Sequence, residues 1–184
     1  MESVAIHSHR VITPSGVVEA TLILADGKIQ EVMPGRVEQP GIPFESFGDK
    51  VIMPGVIDAH VHINEPGRSE WEGFETATKA AAAGGITTMI EMPLNASPVT
   101  TTADALRIKL EAATSARECQ VSTAALSPGI STTLEELLRS GVFGIKAFLT
   151  HSGIDEFPNV TEADLRRALP ILTEAWYGVS ALRA

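Results

Sequence analysis

Val51-Ile52-Met53-Pro54-Gly55-Val56-Ile57-Asp58-Ala59-His60-Val61-His62 is an apolar run that ends on two histidines separated by one residue. Side chains alternate faces along a strand, so His60 and His62 point one way and Val61 the other. Two imidazoles on one face, roughly 7 Å apart along the backbone, can converge on one metal ion. The plainer alternative is a pair of polar residues at a strand end. The surroundings favour the metal reading: Asp58 is close by, the loop Asn64-Glu65-Pro66-Gly67 follows at once, and a helix start comes after it.

Downstream of His62 the pattern alternates strand and helix. Ser69-Glu70-Trp71-Glu72 fits a capping box with Ser69 at the N-cap, and the alanine-rich run 76–83 continues that helix to Gly84-Gly85. A strand is predicted over 86–92, then a helix opened by Thr101-Thr102 with Leu106, Leu110 and Ala113 on its apolar face. The next strand spans 120–126, with Ser127-Pro128-Gly129 as its loop, and a third helix opens at Thr132-Thr133 and stops at Gly141. A strand over 142–149 and a fourth helix from Thr161, with Pro170 inside it, complete the series. Such βα units build a parallel sheet with helices outside, either open and doubly wound or closed as a barrel, and periodicity does not choose between them.

Upstream, residues 1–50 read as a small all-β segment. Strands are predicted over 4–12, 17–24 and 28–33, with Asp26-Gly27 as a two-residue hairpin turn. His7 and His9 repeat the two-apart spacing, but no carboxylate or lysine follows them at a strand end, so a metal role is not expected there.

The net charge of −9, with no Lys/Arg run, argues against a nucleic-acid partner. No apolar stretch approaches the ~18 residues of a membrane span, and the N-terminus shows no secretory signal. The lone Cys119 suits a reducing compartment, so a cytoplasmic location is expected.

Residues 53–62 resemble the metal-binding opening of the cyclic amidohydrolases, the group that holds dihydroorotase, hydantoinase and allantoinase. The continuation Ile63-Asn64-Glu65-Pro66-Gly67-Arg68, Trp71-Glu72-Gly73 and 84–95, ending Met92-Pro93-Leu94-Asn95, is similar to the allantoinase branch. The resemblance runs from the N-terminus to about residue 175. It implies an α/β fold: the N-terminal half of a (β/α)₈ TIM-type barrel, about four βα units at 51–175, preceded by a small β-sandwich segment at 1–50. It also implies hydrolysis of a cyclic ureide, allantoin to allantoate, with two Zn²⁺ ions as cofactor. A homo-oligomer is implied as well, a tetramer in the family.

The site residues follow residue by residue. His60 and His62 match the family's metal histidines, and Lys146, inside the otherwise apolar 142–149, matches the lysine that takes up carbon dioxide and bridges the two metals. A buried lysine is costly unless paired or neutralised, so the alternative is a side chain that snorkels to a rim carboxylate. Asn95 matches a substrate-contacting asparagine, or is a turn residue after Pro93. Asn64 and Glu65 stand where dihydroorotase would place an arginine for a substrate carboxylate. A neutral ureide needs no such clamp. His151 either lines the pocket or is a solvated loop histidine.

The resemblance stops short at the C-terminal end. A complete barrel takes ~250 residues, more than the 184 of this chain, and residues 176–184 form a divergent tail matching nothing in the family. The family's general-base aspartate and later histidines have no counterpart, so no catalytic residue is assigned and negligible turnover is expected. Two other readings remain: a hydantoinase or dihydropyrimidinase, and a non-catalytic fragment associating with full-length subunits. Strand residues expected to line the core are Val51, Ile57, Ile86, Met89, Ile90, Val121, Val142, Ile145 and Phe148. With an open sheet, aggregation or edge pairing is expected.

Overall fold

The computed structural model describes residues 3–114, 120–125 and 131–175, so the expected loop at 127–129 and the tail 176–184 lie outside the described residues. The chain divides into two compact units, Met1–Pro54 and Gly55–Ala184.

In the first unit β1 (Val4–Thr13), β2 (Gly16–Ala25) and β3 (Lys28–Pro34) form an antiparallel meander. Asp26 and Gly27 both take positive φ, 55° and 70°. That is the backbone of the twist-matched hairpin turn the Asp-Gly pair favours. β4 (Phe44–Ser46) and β5 (Val51–Ile52) then return and pair parallel with the other edge of β1. Val11, Ala20 and Leu22 form the buried centre, with Ile6, Leu24 and Ile52 against it. Two expectations are corrected here. The described strands make a single mixed sheet of five strands rather than two facing sheets. Val51 and Ile52, read above as the start of the histidine strand, belong to this sheet. Met53-Pro54 ends the pairing, because proline supplies no N–H to a ladder.

The second unit alternates β6 (Val56–Val61), α1 (Phe74–Ala83), β7 (Ile86–Glu91), α2 (Ala103–Ala113), β8 (Gln120–Ala125), α3 (Ser131–Arg139), β9 (Gly144–Lys146) and α4 (Glu162–Ala175). The four strands pair in parallel in the order β6-β7-β8-β9. Gly55 admits this pairing at its start: a Cβ there would lie 2.0 Å from Thr87 Oγ1. Helices bury one face on the sheet. Phe74, Ala77 and Ala81 of α1 pack with Ile63 and Met89, while Leu134 of α3 meets Val160 and Ala168.

Three local readings shift. Helix α1 begins at Phe74, not after Ser69, because Glu65 reaches in from the preceding loop and its Oε2 accepts from the Phe74 N–H at 2.8 Å. β9 is three residues long, with residues 147–149 already outside it. The inward face of α2 is Ala105, Leu106 and Lys109, whereas Leu110 is 48% exposed. Of the strand residues expected in the core, Met89 and Val142 are buried, Ile86, Ile90, Ile145 and Phe148 are half-buried, and Val51 and Ile57 are exposed. The Val121 side chain lies outside the described set. Pro170 does lie inside α4. No described helix is long and apolar enough to cross a membrane.

Candidate metal centre

The pairing of β6 with β7 is irregular where the histidines sit. Asp58 pairs with Met89 and Val61 with Glu91, so β6 fits three steps against two on its neighbour. A bulge of this kind re-aims side chains at a strand end. Here the His60 backbone N–H donates to Asp58 Oδ1 at 3.0 Å, and His60 Nε2 lies 3.2 Å from His62 Nε2. The two imidazoles thus come together on one side, as alternation along a strand predicts, although His62 lies just past the end of β6.

Lys146, the last residue of β9, brings Nζ to 3.5 Å from His60 Nε2 on β6, with β7 and β8 between the two strands. Its ammonium also sits 5.2 Å from the Phe148 ring. Burial holds the Lys146 pKa below the ordinary lysine value, only partly opposed by the negative charge of Glu91. The His62 pKa is likewise lowered, first by desolvation and then by the charges at Lys146, His60 and Lys109. Both shifts favour the unprotonated nitrogen, which is the form that can ligate.

Asn95 stands beside His62. It occupies the left-handed region at φ 72°, which asparagine tolerates better than most residues. Its Nδ2 is 3.5 Å from His62 Nδ1, and its carbonyl accepts from Arg68 Nη1 at 3.4 Å. Arg68 in turn lies over the Trp71 ring at 5.4 Å.

Beneath the histidines is a pair not singled out from the sequence. Lys109 Nζ and Glu91 Oε1 are 2.8 Å apart with both side chains 1% exposed. Glu91 Oε1 accepts from the Ile63 N–H at 3.4 Å while Lys109 donates to the Ile63 carbonyl at 3.5 Å. The residue after His62 is thus clamped on both backbone groups. Burial raises the Glu91 pKa to about 7 despite the adjacent ammonium, and burial lowers that of Lys109. The signal in the sequence was a carboxylate ending an apolar strand and a lysine three residues after Leu106, on its helix face.

The remaining sequence candidates fall elsewhere. Glu65 caps α1, and Asn64 is buried, its backbone tied to Glu72 and Arg68. His151 is an exposed loop side chain whose Nδ1 accepts from the Gly153 N–H at 3.1 Å.

The donor set suits a divalent cation. Two ligands held ~2.0–2.1 Å from a tetrahedral zinc stand ~3.3–3.4 Å apart. The separation of the His60 and His62 nitrogens, 3.2 Å, is close to that.

Residues 51–169, well over half the chain, match the model of the amidohydrolase family. The chain belongs to the amidohydrolase family. Its members are typically metal-dependent hydrolases. The chain is 48% identical over 167 residues to the allantoinase of Streptomyces avermitilis, covering 89% of this chain and 37% of that protein. It is 45% identical over 168 residues to a mitochondrial allantoinase of Aquarana catesbeiana, covering 89% and 34%. Among solved structures it superposes on the L-hydantoinase (dihydropyrimidinase) of Arthrobacter aurescens with a TM-score of 0.86 at 28% identity, covering 95% of this chain and 39% of that one. The amidohydrolase chain thus spans little more than a third of the length of these relatives.

Proposed function

We propose that this chain carries the metal-holding wall of a cyclic-amide hydrolase that opens allantoin to allantoate. The observation that carries the reading is the convergence of His60, His62 and Lys146: His60 Nε2 lies 3.2 Å from His62 Nε2 and 3.5 Å from Lys146 Nζ, at one end of a parallel sheet. Ligand sites in such sheets lie at the carboxyl ends of the strands. The consecutive order β6-β7-β8-β9 supports a (β/α)₈ barrel of which these are four units, since a doubly wound sheet reverses its order midway.

In this reading His60, His62 and, once carboxylated, Lys146 would hold the divalent cations, with zinc as the expected metal. The unprotonated Lys146 amine adds to carbon dioxide, forming an N–C bond and releasing one proton to water. Desolvation at Lys146 favours that amine form. When bound, the cations supply Lewis acidity toward a carbonyl oxygen and toward water. Ring opening forms a bond from the water oxygen to the ring carbonyl carbon and breaks the C–N bond, the ring nitrogen taking a proton. The Asn95 amide, poised beside His62, offers both a donor and an acceptor to a ureide. The Glu91–Lys109 clamp on Ile63 keeps His62 in place.

Self-association is part of the proposal. The edge strand β3 presents Ile29 and Val32 outward, 59% and 47% exposed. Light scattering tests it, and a monomer would remove it.

A second reading, hydrolysis of hydantoin or dihydrouracil, draws on the likeness to the hydantoinase structure. The deciding test is a chimera in which residues 1–175 replace the corresponding part of the Streptomyces avermitilis allantoinase. It should open allantoin in preference to hydantoin and dihydrouracil, and Lys146→Ala should lower kcat on the order of a hundredfold. A preference for hydantoin favours the second reading, and full activity without Lys146 overturns both.

A further inference from the structure

The first unit holds another convergence of ligating atoms, and we infer that His7, His9 and Glu19 form a second, separate site for a divalent zinc-class cation. The inference is independent of the function proposed for the other unit.

The placement comes from register. His7 pairs with Thr21 and Ser8 with Ala20, after which the ladder slips so that His9 and Arg10 together face Glu19. His7, His9 and Glu19 thereby share one face of the β1–β2 ribbon. One ligand atom from each lies within 4.8 Å of the other two. His7 Nε2 is 3.3 Å from Glu19 Oε1, close to the ~3.3–3.4 Å between two ligands of a tetrahedral zinc.

Each imidazole also has the outer partner that a ligating histidine uses to fix its ring and tautomer. His7, in register with Ser46 on β4, brings Nδ1 to 2.9 Å from Ser46 Oγ, leaving Nε2 to face Glu19. The Phe44 ring stacks on its other side at 6.1 Å, and the His7 side chain is 1% exposed. His9 Nδ1 is 2.9 Å from Asp49 Oδ1. One ligand is thus rigid. The other two side chains are about half exposed, 52% for His9 and 49% for Glu19, so they can close the last ångström by rotation.

Two imidazoles and one carboxylate suit zinc and its later first-row neighbours rather than Mg²⁺ or Ca²⁺, which prefer all-oxygen sets. Three protein ligands leave a fourth position for water. A cation here would tie β1 to β2 beside the β4–β5 segment, cross-linking the sheet.

The test uses zinc alone, by equilibrium dialysis with metal analysis, and cobalt as a spectroscopic probe, on the full 184-residue chain. His60→Asn/His62→Asn should still bind one equivalent of zinc and give the visible ligand-field bands of tetrahedral cobalt. His9→Asn and Glu19→Gln, both at exposed side chains, should each weaken that binding tenfold or more with the far-UV spectrum unchanged. On the otherwise wild-type chain the same two changes should remove one equivalent. Zinc binding undiminished by His9→Asn and Glu19→Gln, or none in the His60→Asn/His62→Asn chain alongside an unchanged wild-type stoichiometry in the other two, would overturn the site. The His7–Glu19 contact would then be an ordinary hydrogen bond at a sheet surface.

Discussion

The two units each carry a His-x-His, and the two pairs are held in opposite ways. His7 and His9 lie in the middle of a long strand of a mixed sheet, and their carboxylates, Glu19 and Asp49, stand on the surface. His60 and His62 straddle the end of a short parallel strand, with their nearest carboxylate–lysine pair, Glu91 and Lys109, fully buried below. Identical spacing therefore says little by itself. What differs is where charge is kept: a surface carboxylate can move to meet a cation, whereas a buried pair fixes the backbone that carries the ligands.

The largest effect should come from breaking that buried support. Lys109→Met removes the buried ammonium 2.8 Å from Glu91 and should cost ~3–5 kcal/mol, as breaking a buried ion pair from one side does. Hydrogen exchange should show lost protection in 56–113 and little change in 4–34. Equal loss in both would show that the contrast between the units is not energetic. Adding Glu91→Leu should recover part of the stability.

A smaller loss is expected at the start of the parallel sheet. Gly55→Ala places a Cβ 2.0 Å from Thr87 Oγ1 and 2.6 Å from Thr87 Cβ, so rotating the threonine does not clear it. Overpacking of this kind costs ~1–3 kcal/mol, and urea unfolding would read it. An unchanged midpoint would mean that the β6–β7 register is soft, and with it the placement of His60.

The smallest effect is a pH dependence at α4. Asp164 Oδ2 accepts from the Thr161 hydroxyl at 2.6 Å and backbone N–H at 2.8 Å. These bonds, with Arg167 adding to them, depress its pKa to about 2. The unfolded value is ~3.9. A depressed folded pKa stabilises the fold fully above the unfolded value, and the contribution is lost as pH falls through about 4 toward 2. Asp164→Asn should flatten the stability curve in that window and leave the first unit untouched. A variant with the wild-type pH slope would contradict this.

How far the sequence could be read follows the same contrast. The order of βα units and the convergence of the histidine pair were legible as local patterns, and the convergence of Lys146 on them through the family resemblance. Glu19 was not, because it meets His7 only through a cross-strand register that includes a slip. Val51-Ile52 reads as strand, but which sheet it joins depends on the distant edge of β1. The α2 face was misread because Leu110 is the more apolar residue, whereas burying Lys109 against Glu91 turns the helix toward a charge. The start of α1 moved because Glu65, nine residues before Phe74, supplies the cap that Ser69 was expected to give.

His60, His62 and Lys146 are proposed to form one metal centre. That is tested most directly by zinc stoichiometry of the His9→Asn/Glu19→Gln chain, alone and with His62→Asn or Lys146→Ala added, with bicarbonate present. Zinc should be bound in the background protein and lost or weakened tenfold or more by either further substitution, with the fold retained. Zinc held equally well without His62 and without Lys146 would contradict it.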